Sequence, residues 1–222
     1  MRRAMRRATE RWPVVPRAVG WLISSRLPSL VSLNGTDKGS NGYVPFYERH
    51  FKELRRRRLT ILEIGIYKGA GLRVWRSYFP SSSIVGIDIN PSMIDEPRIT
   101  CRCGSQDDPA FLAALCEEFG PFDIVIDDGS HVGRHVIASF DSLFPHVVPG
   151  GWYVIEDIAT AYWEEYEGGP VGMEGTAVAM VKDLVDTVFR GSVREGTLPA
   201  ADLDELHVYR PALVFMRKSC HQ

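Results

Sequence analysis

"LTILEIGIYKGAGLRVWRSYF", residues 59–79, decides how this chain folds. Its first eight residues are a β-rich apolar run that ends in glycines, and Leu72, Trp75 and Phe79 beyond them fall at helical spacing. A strand that turns through glycines into a helix is the opening unit of a parallel sheet, and the pattern repeats downstream. "SIVGIDIN" and "RITCRCG" are further strands. "DDPAFLAALCEEFG" is a helix bounded by its acidic start, Pro109 in the first turn and Gly120 at the end. "FDIVIDD" is a fourth strand, and the helix "GRHVIASFDSLFPHV" leads through Pro149-Gly150-Gly151 into a fifth, "WYVIEDI". After a glycine- and aromatic-rich stretch read as a loop or lid, "ATAYWEEYEGGPVGMEG", a helix carries Val178, Val181, Leu184, Val185 and Val188. "LHVYRPALVFMRK" closes the chain as a hairpin about Arg210-Pro211. The expectation is an α/β fold: a Rossmann-like, doubly wound, mostly parallel seven-stranded sheet with an antiparallel C-terminal hairpin. Residues 56–222 form its domain, and residues 1–55 form a helical N-terminal appendage that reaches the ligand site.

Composition narrows what such a fold can serve. With 222 residues, 45% of them hydrophobic, the chain buries a sizeable core. A net charge of −2 offers no global field to draw in nucleic acid or an anionic membrane, so no nucleic-acid partner is expected. The arginine-rich start "MRRAMRRATERW" reads as a solvated tail in preference to a membrane-surface or partner-binding helix. "AVGWLISSRLPSLVSL" is interrupted by Arg26 and Pro28, too short a run for a transmembrane segment, and no small-residue cleavage site follows clearly enough to read it as a signal peptide. A cytoplasmic protein is expected, in which Cys101 and Cys103 are buried thiols and not half of a metal site. A homodimer is the expected assembly.

In doubly wound sheets ligands bind outside the carboxyl ends of the strands, and three of those ends describe a nucleoside site. Glu63 is followed by Gly65, Gly69 and Gly71, which let a ligand approach the backbone at a helix amino end. Asp88, 25 residues after Glu63, ends the second strand where a carboxylate can accept both ribose hydroxyls. Gln106 and Asp107 follow the third strand, within reach of an adenine amino group. The glycine spacing is ExGxxxGxG and not the GxGxxG that cradles a pyrophosphate, which argues against a nicotinamide oxidoreductase.

That spacing resembles the first motif of class I S-adenosylmethionine-dependent methyltransferases. "GTDKG" (35–39), "YVPFYERHF" (43–51), "IVGIDIN", "IDDGSH" and "VIEDI" extend the likeness to the metal-dependent sugar O-methyltransferases, from about residue 34 to 217. These include macrolide and rhamnosyl O-methyltransferases and the short enzyme of methylmannose polysaccharide synthesis. The macrolide enzymes carry an extra N-terminal domain, so the short polysaccharide enzyme is the nearer match and a mannoside the favoured substrate, with a natural-product deoxysugar next.

The resemblance implies S-adenosylmethionine and Mg2+ as cofactors and assigns the rim of the sheet. The fourth and fifth strands are neighbours, so Asp127-Asp128 and Glu156-Asp157 lie about one strand spacing, roughly 5 Å, apart. Carboxylates that close repel unless protonated or bridged, and a hard divalent cation bridges them. In the family the ligands are the residues matching Asp128, Glu156 and Asp157, while Asp127 points the other way along its strand. The residue matching His131 is the base that takes the proton of a sugar hydroxyl. The amino-acid end of S-adenosylmethionine is expected at Glu63 and at the segment with Asp37 and Lys38, Lys38 pairing with its carboxylate. The alternatives are a catechol-type methyltransferase and a non-catalytic nucleoside-binding protein. His50, His135, His146, His207 and His221 read as surface or satisfied core residues.

Overall fold

A computed structural model describes residues 27–90, 94 and 96–220. The arginine-rich start and His221 lie outside them. Seven strands form one sheet: β1 (Thr60–Ile64), β2 (Ser83–Asp88), β3 (Ile99–Cys103), β4 (Phe122–Asp127), β5 (Val147–Ile155), β6 (Leu203–Tyr209) and β7 (Leu213–Lys218). Their spatial order is β3-β2-β1-β4-β5-β7-β6. The first five run parallel, whereas β7 lies antiparallel between β5 and β6. The expected closing hairpin is therefore present, with its second strand inside. Strand order reverses at the β1/β4 pair, where Ile64 aligns with Asp127, and the crevice of such a sheet opens there.

Among the described residues six α-helices accompany the sheet: α1 (Leu27–Asn34), α2 (Val44–Phe51), α3 (Ala70–Tyr78), α4 (Pro109–Phe119), α5 (Gly133–Leu143) and α6 (Ala177–Val188). The strands alternate buried side chains to two faces, as parallel strands covered on both sides must. Ile61, Ile84, Ile124 and Val154 join one core with Leu30, Tyr47, Phe51 and Trp75 from α1–α3. Leu62, Val85, Val125 and Tyr153 join the other with Leu112, Phe140 and Leu184 from α4–α6. The described part of 1–55 thus shares the sheet's core.

Local chemistry sets the boundaries. The Asp108 carboxylate accepts from the amides of Ala110 (3.0 Å) and Phe111 (3.2 Å) and starts α4, with Pro109 at its first position. Thr176 caps α6 through the Ala179 amide at 3.1 Å. Three sequence readings are corrected. β5 begins at Val147, so Pro149-Gly150-Gly151 lies within the strand, at an irregularity in its pairing with β4 where Gly150 adopts φ +73°. Val185 is 44% exposed, because only one stripe of α6 packs. Cys103 is exposed at the end of β3, while Cys101 and Cys116 are buried. Among the described residues no helix is long and apolar enough to cross a membrane.

Candidate active site

Two features meet at the carboxyl edge of the sheet. The first is a cavity of about 230 Å³ between the ends of β1, β2 and β4, lined by Gly65, Asp88, Ile89, Ser105, Gln106, Gly129 and His135 among others. Gly65, at φ +92°, is required there: a Cβ on it would lie 2.0 Å from the carbonyl oxygen of Asp128. Asp88 accepts from the amides of Ile66 (2.8 Å), Tyr67 (3.1 Å) and Asn90 (2.9 Å). Burial works to raise its pKa, but these amides prevail and hold the carboxyl below its usual range. It is an ionised acceptor on the cavity wall.

The second feature is a cluster of carboxylates. Parallel pairing sets Asp127 beside Ile155, so Asp128 and Glu156 sit side by side. Asp128, His131 and Asp157 each offer a ligand atom within 4.8 Å of the others. His131 Nε2 is 3.9 Å from Asp128 Oδ1 and 4.0 Å from Asp157 Oδ2. His131 and Asp157 both hold left-handed backbone, φ +58° and +52°, a conformation that histidine and aspartate adopt more readily than most residues. The Thr160 hydroxyl lies within hydrogen-bonding distance of the carbonyls of both, 3.1 and 2.9 Å away. Two carboxylates and an imidazole at this separation suit a hard divalent cation, with positions left for water or substrate oxygens.

Behind the rim lies Lys38, 1% exposed, its ammonium 2.7 Å from Asp128 Oδ2, 2.7 Å from Glu156 Oε1 and 3.3 Å from Glu63 Oε1. Burial opposes its charge, but the carboxylates of Glu156, Asp128 and Glu63 raise its pKa well above the ordinary value. Burial, then the charge of Asp128, pushes the Glu156 carboxyl up. Negative charge is in surplus here. Tyr47 donates to Glu156 Oε1 at 2.5 Å, and Tyr43 donates to Asp157 Oδ1 at 2.5 Å. Glu63 accepts from Trp75 Nε1 at 2.9 Å, and burial raises its pKa. Its Oε2 is buried without a hydrogen-bond partner.

Several expected roles change. Lys38 does not reach toward the cavity, because three carboxylates in a dry pocket hold its charge more strongly than an open cleft would. Asp37 is an exposed turn residue whose carbonyl accepts from Asn41 N and Ser40 Oγ. Gln106 lines the cavity, but its amide donates to Asp127 Oδ1 at 3.1 Å and accepts from Ser130 N at 2.7 Å, so it braces strand ends and is not free to read a base. Asp107 turns to Ser105 and to His135 Nε2, 3.1 Å away, and is absent from the cavity wall. A Cβ on Gly69 would meet Ile94 at 1.9 Å, so that glycine serves the turn into α3. Glu156 lies one layer deeper than the group formed by Asp128, His131 and Asp157. Asp127 faces away, among Gln106, Ser139 and Tyr153.

The sequence reading missed Tyr43, Tyr47 and His135. The two tyrosines stand four apart at the start of a helix, a spacing that puts both on one face. That signal was available. His135, hydrogen-bonded to Ser130 Oγ at 2.8 Å, enters the cavity wall only through the tertiary fold.

Comparison with known proteins sets this geometry in context. Residues 62–158 match the family model of a methyltransferase domain. The chain is 47% identical over 156 residues to the mycinamicin VI 2''-O-methyltransferase of Micromonospora griseorubida, across 66% of this chain and 39% of that protein. It is 38% identical to the 8-demethyl-8-alpha-L-rhamnosyl tetracenomycin-C 2'-O-methyltransferase of Streptomyces olivaceus, across 93% of this chain and 59% of that one. The MycE methyltransferase of the mycinamycin biosynthetic pathway, solved with Mg, S-adenosylhomocysteine and mycinamycin VI, superposes with a TM-score of 0.80 at 40% identity, covering 87% of this chain and 53% of that one. The chain spans about half the length of the curated relatives it matches.

Proposed function

Because the chain belongs to the family of S-adenosylmethionine-dependent methyltransferase domains found in these sugar O-methyltransferases, we propose that it transfers a methyl group from S-adenosylmethionine to a hydroxyl of a sugar. The observation that carries the reading is the convergence of Asp128, His131 and Asp157 beside the cavity that Asp88 lines. Asp88 accepts the ribose hydroxyls, and the unpaired Oε2 of Glu63 accepts the amino group of the cofactor. Asp128 and Asp157, with Glu156 close behind, hold Mg2+, which when bound lowers the cost of forming an alkoxide from a sugar hydroxyl. His131 takes the proton at Nε2, in a single in-line displacement. The exposed Tyr162 and Trp163 stand on the segment that follows β5, where aromatic faces can cover a sugar ring.

The sugar we favour is a 6-deoxyhexose on a natural product. The relatives bear names for acting on mycinamicin VI, on rhamnosyl tetracenomycin C and on L-olivosyl-oleandolide. Nothing in these names supports the mannoside expected from the sequence, and we set it aside. A labelled-methyl transfer assay on rhamnosyl and olivosyl glycosides, methylmannosides and catechols, with and without chelator, tests the proposal. Methylation of a deoxyhexoside that a chelator abolishes is the expected result. Transfer to catechol alone, or full transfer without metal, overturns it. Within that assay His131→Ala should lower saturated turnover by roughly 100-fold to 10,000-fold with the magnesium constant near wild type. A much weaker magnesium constant with near-normal turnover makes His131 a ligand instead.

A further inference from the structure

We infer that Lys38, Tyr43 and Tyr47 are positioning residues of the metal centre: Lys38 and Tyr43 each fix one oxygen of a rim aspartate so that its other oxygen is presented to the cation, and Tyr47 fixes the Glu156 carboxylate that packs behind them. The inference rests on the metal reading above. Its ground is the way each carboxylate is divided. Asp128 gives Oδ2 to the Lys38 ammonium at 2.7 Å, and Oδ1 is the atom 3.9 Å from His131. Asp157 gives Oδ1 to the Tyr43 hydroxyl at 2.5 Å, and Oδ2 is the atom 4.0 Å from His131. Glu156 gives Oε1 to both Lys38 and Tyr47. In each aspartate one oxygen is tethered and the other joins the open group.

All the tethers come from one stretch of chain. Residues 38–47 run from the turn after α1 into α2, and Tyr43, Tyr47 and Lys38 are all but fully buried. A carboxylate on an untethered side chain turns freely about its last bond, so fixing it with an outer partner organises the site before the cation arrives. Lys38 also brings the one ammonium within 4.0 Å of this cluster among the described residues, set against Glu63, Asp128 and Glu156 with Asp157 alongside. One positive charge among four carboxylates keeps the rim assembled yet leaves a negative surplus suited to a dication. The Lys38 ammonium, expected at the carboxylate of the cofactor, therefore serves the cation site instead.

Tyr43→Phe tests this by deleting one hydroxyl. Magnesium affinity is measured by calorimetry on wild type and variant, S-adenosylhomocysteine affinity in parallel, and the metal-free thermal midpoint beside them. The expected result is a magnesium constant about 10-fold to 100-fold weaker, with an unchanged S-adenosylhomocysteine constant and a metal-free midpoint close to wild type. Tyr47→Phe should shift the magnesium constant in the same direction, and it decides the matter if Tyr43→Phe does not fold. An unchanged magnesium constant in both variants, or a loss confined to S-adenosylhomocysteine, overturns the inference while leaving the metal reading standing. A wild-type chain that takes up no magnesium overturns the metal reading itself, and this inference with it.

Discussion

Asp88 serves the backbone and the cavity at once. Its two oxygens gather the amides of Ile66, Tyr67 and Asn90, which shapes the glycine turn after β1, and the carboxylate still lines the cavity. Asp88→Ala should weaken S-adenosylmethionine binding by about 1.5–3 kcal/mol, the range for hydrogen bonds to a charged group. Calorimetry with the variant checks it, and an unchanged constant would place the ribose elsewhere. His50 supplies a pH dependence. Its ring stacks on Phe215 with centroids 4.3 Å apart and Nε2 lies 2.8 Å from the Tyr209 hydroxyl. Burial, then the neighbouring His207, lowers its pKa from 6.5 to about 4. In the unfolded chain the imidazole takes up its proton as pH falls through 6.5, whereas the folded chain resists until about 4, so stability is fully present above that window and declines within it. His50→Gln should flatten the thermal midpoint against pH between those values; a slope identical to wild type would assign it to other groups. Strand ends pointed in the sequence to Asp88 and to the carboxylate pairs after β4 and β5, and it was the family resemblance that singled out Asp128 and Asp157. The place of Lys38 was not legible, since it depends on how far a loop carries an ammonium under the sheet.

At the level of elements, the turn between β1 and α3 is held between two crowded contacts. Gly65 lies against the backbone of Asp128, and a Cβ on Gly71 would come within 2.4 Å of Glu63 Oε1. Gly65→Ala adds a methyl where φ is +92° and the nearest obstacle is backbone, which cannot rotate aside. It should cost stability and displace the end of β4. The expected signature is a lower thermal midpoint together with weaker magnesium and S-adenosylhomocysteine binding; a variant with wild-type values for all three would mean the turn adapts. Period-two burial and capping residues made the strands and α4 readable in advance, because those signals are local. The start of β5 was not, because a strand that runs through Pro149 and Gly150 is held at its beginning only by the pairing of Val147 with Phe122 of β4.

Across the whole molecule, the cation is expected to act as a stabilising ligand. A site whose carboxylates repel one another gains folding free energy on filling, by about 2.7 kcal/mol at 100 times the dissociation constant. The thermal midpoint should therefore climb with added magnesium and fall back with chelator, and Asp128→Asn should remove the effect. A midpoint indifferent to magnesium would argue that the cluster is structural.

Strand order has a consequence for how the chain is made. β5 delivers Glu156 and Asp157, yet its second neighbour is β7, the last strand in the sequence, and the amide of Ile158 bonds to the carbonyl of Ala212 at the β6–β7 turn. During synthesis the first five strands emerge and pair, while β5 waits as an open edge until β7 arrives. A nascent chain stopped before β7 carries every rim carboxylate but has no partner on the far side of the strand that aims two of them. The strand that aims two of the rim carboxylates therefore stays open on one side until β7 has been made, and a product cut short ahead of β7 should lack an ordered rim.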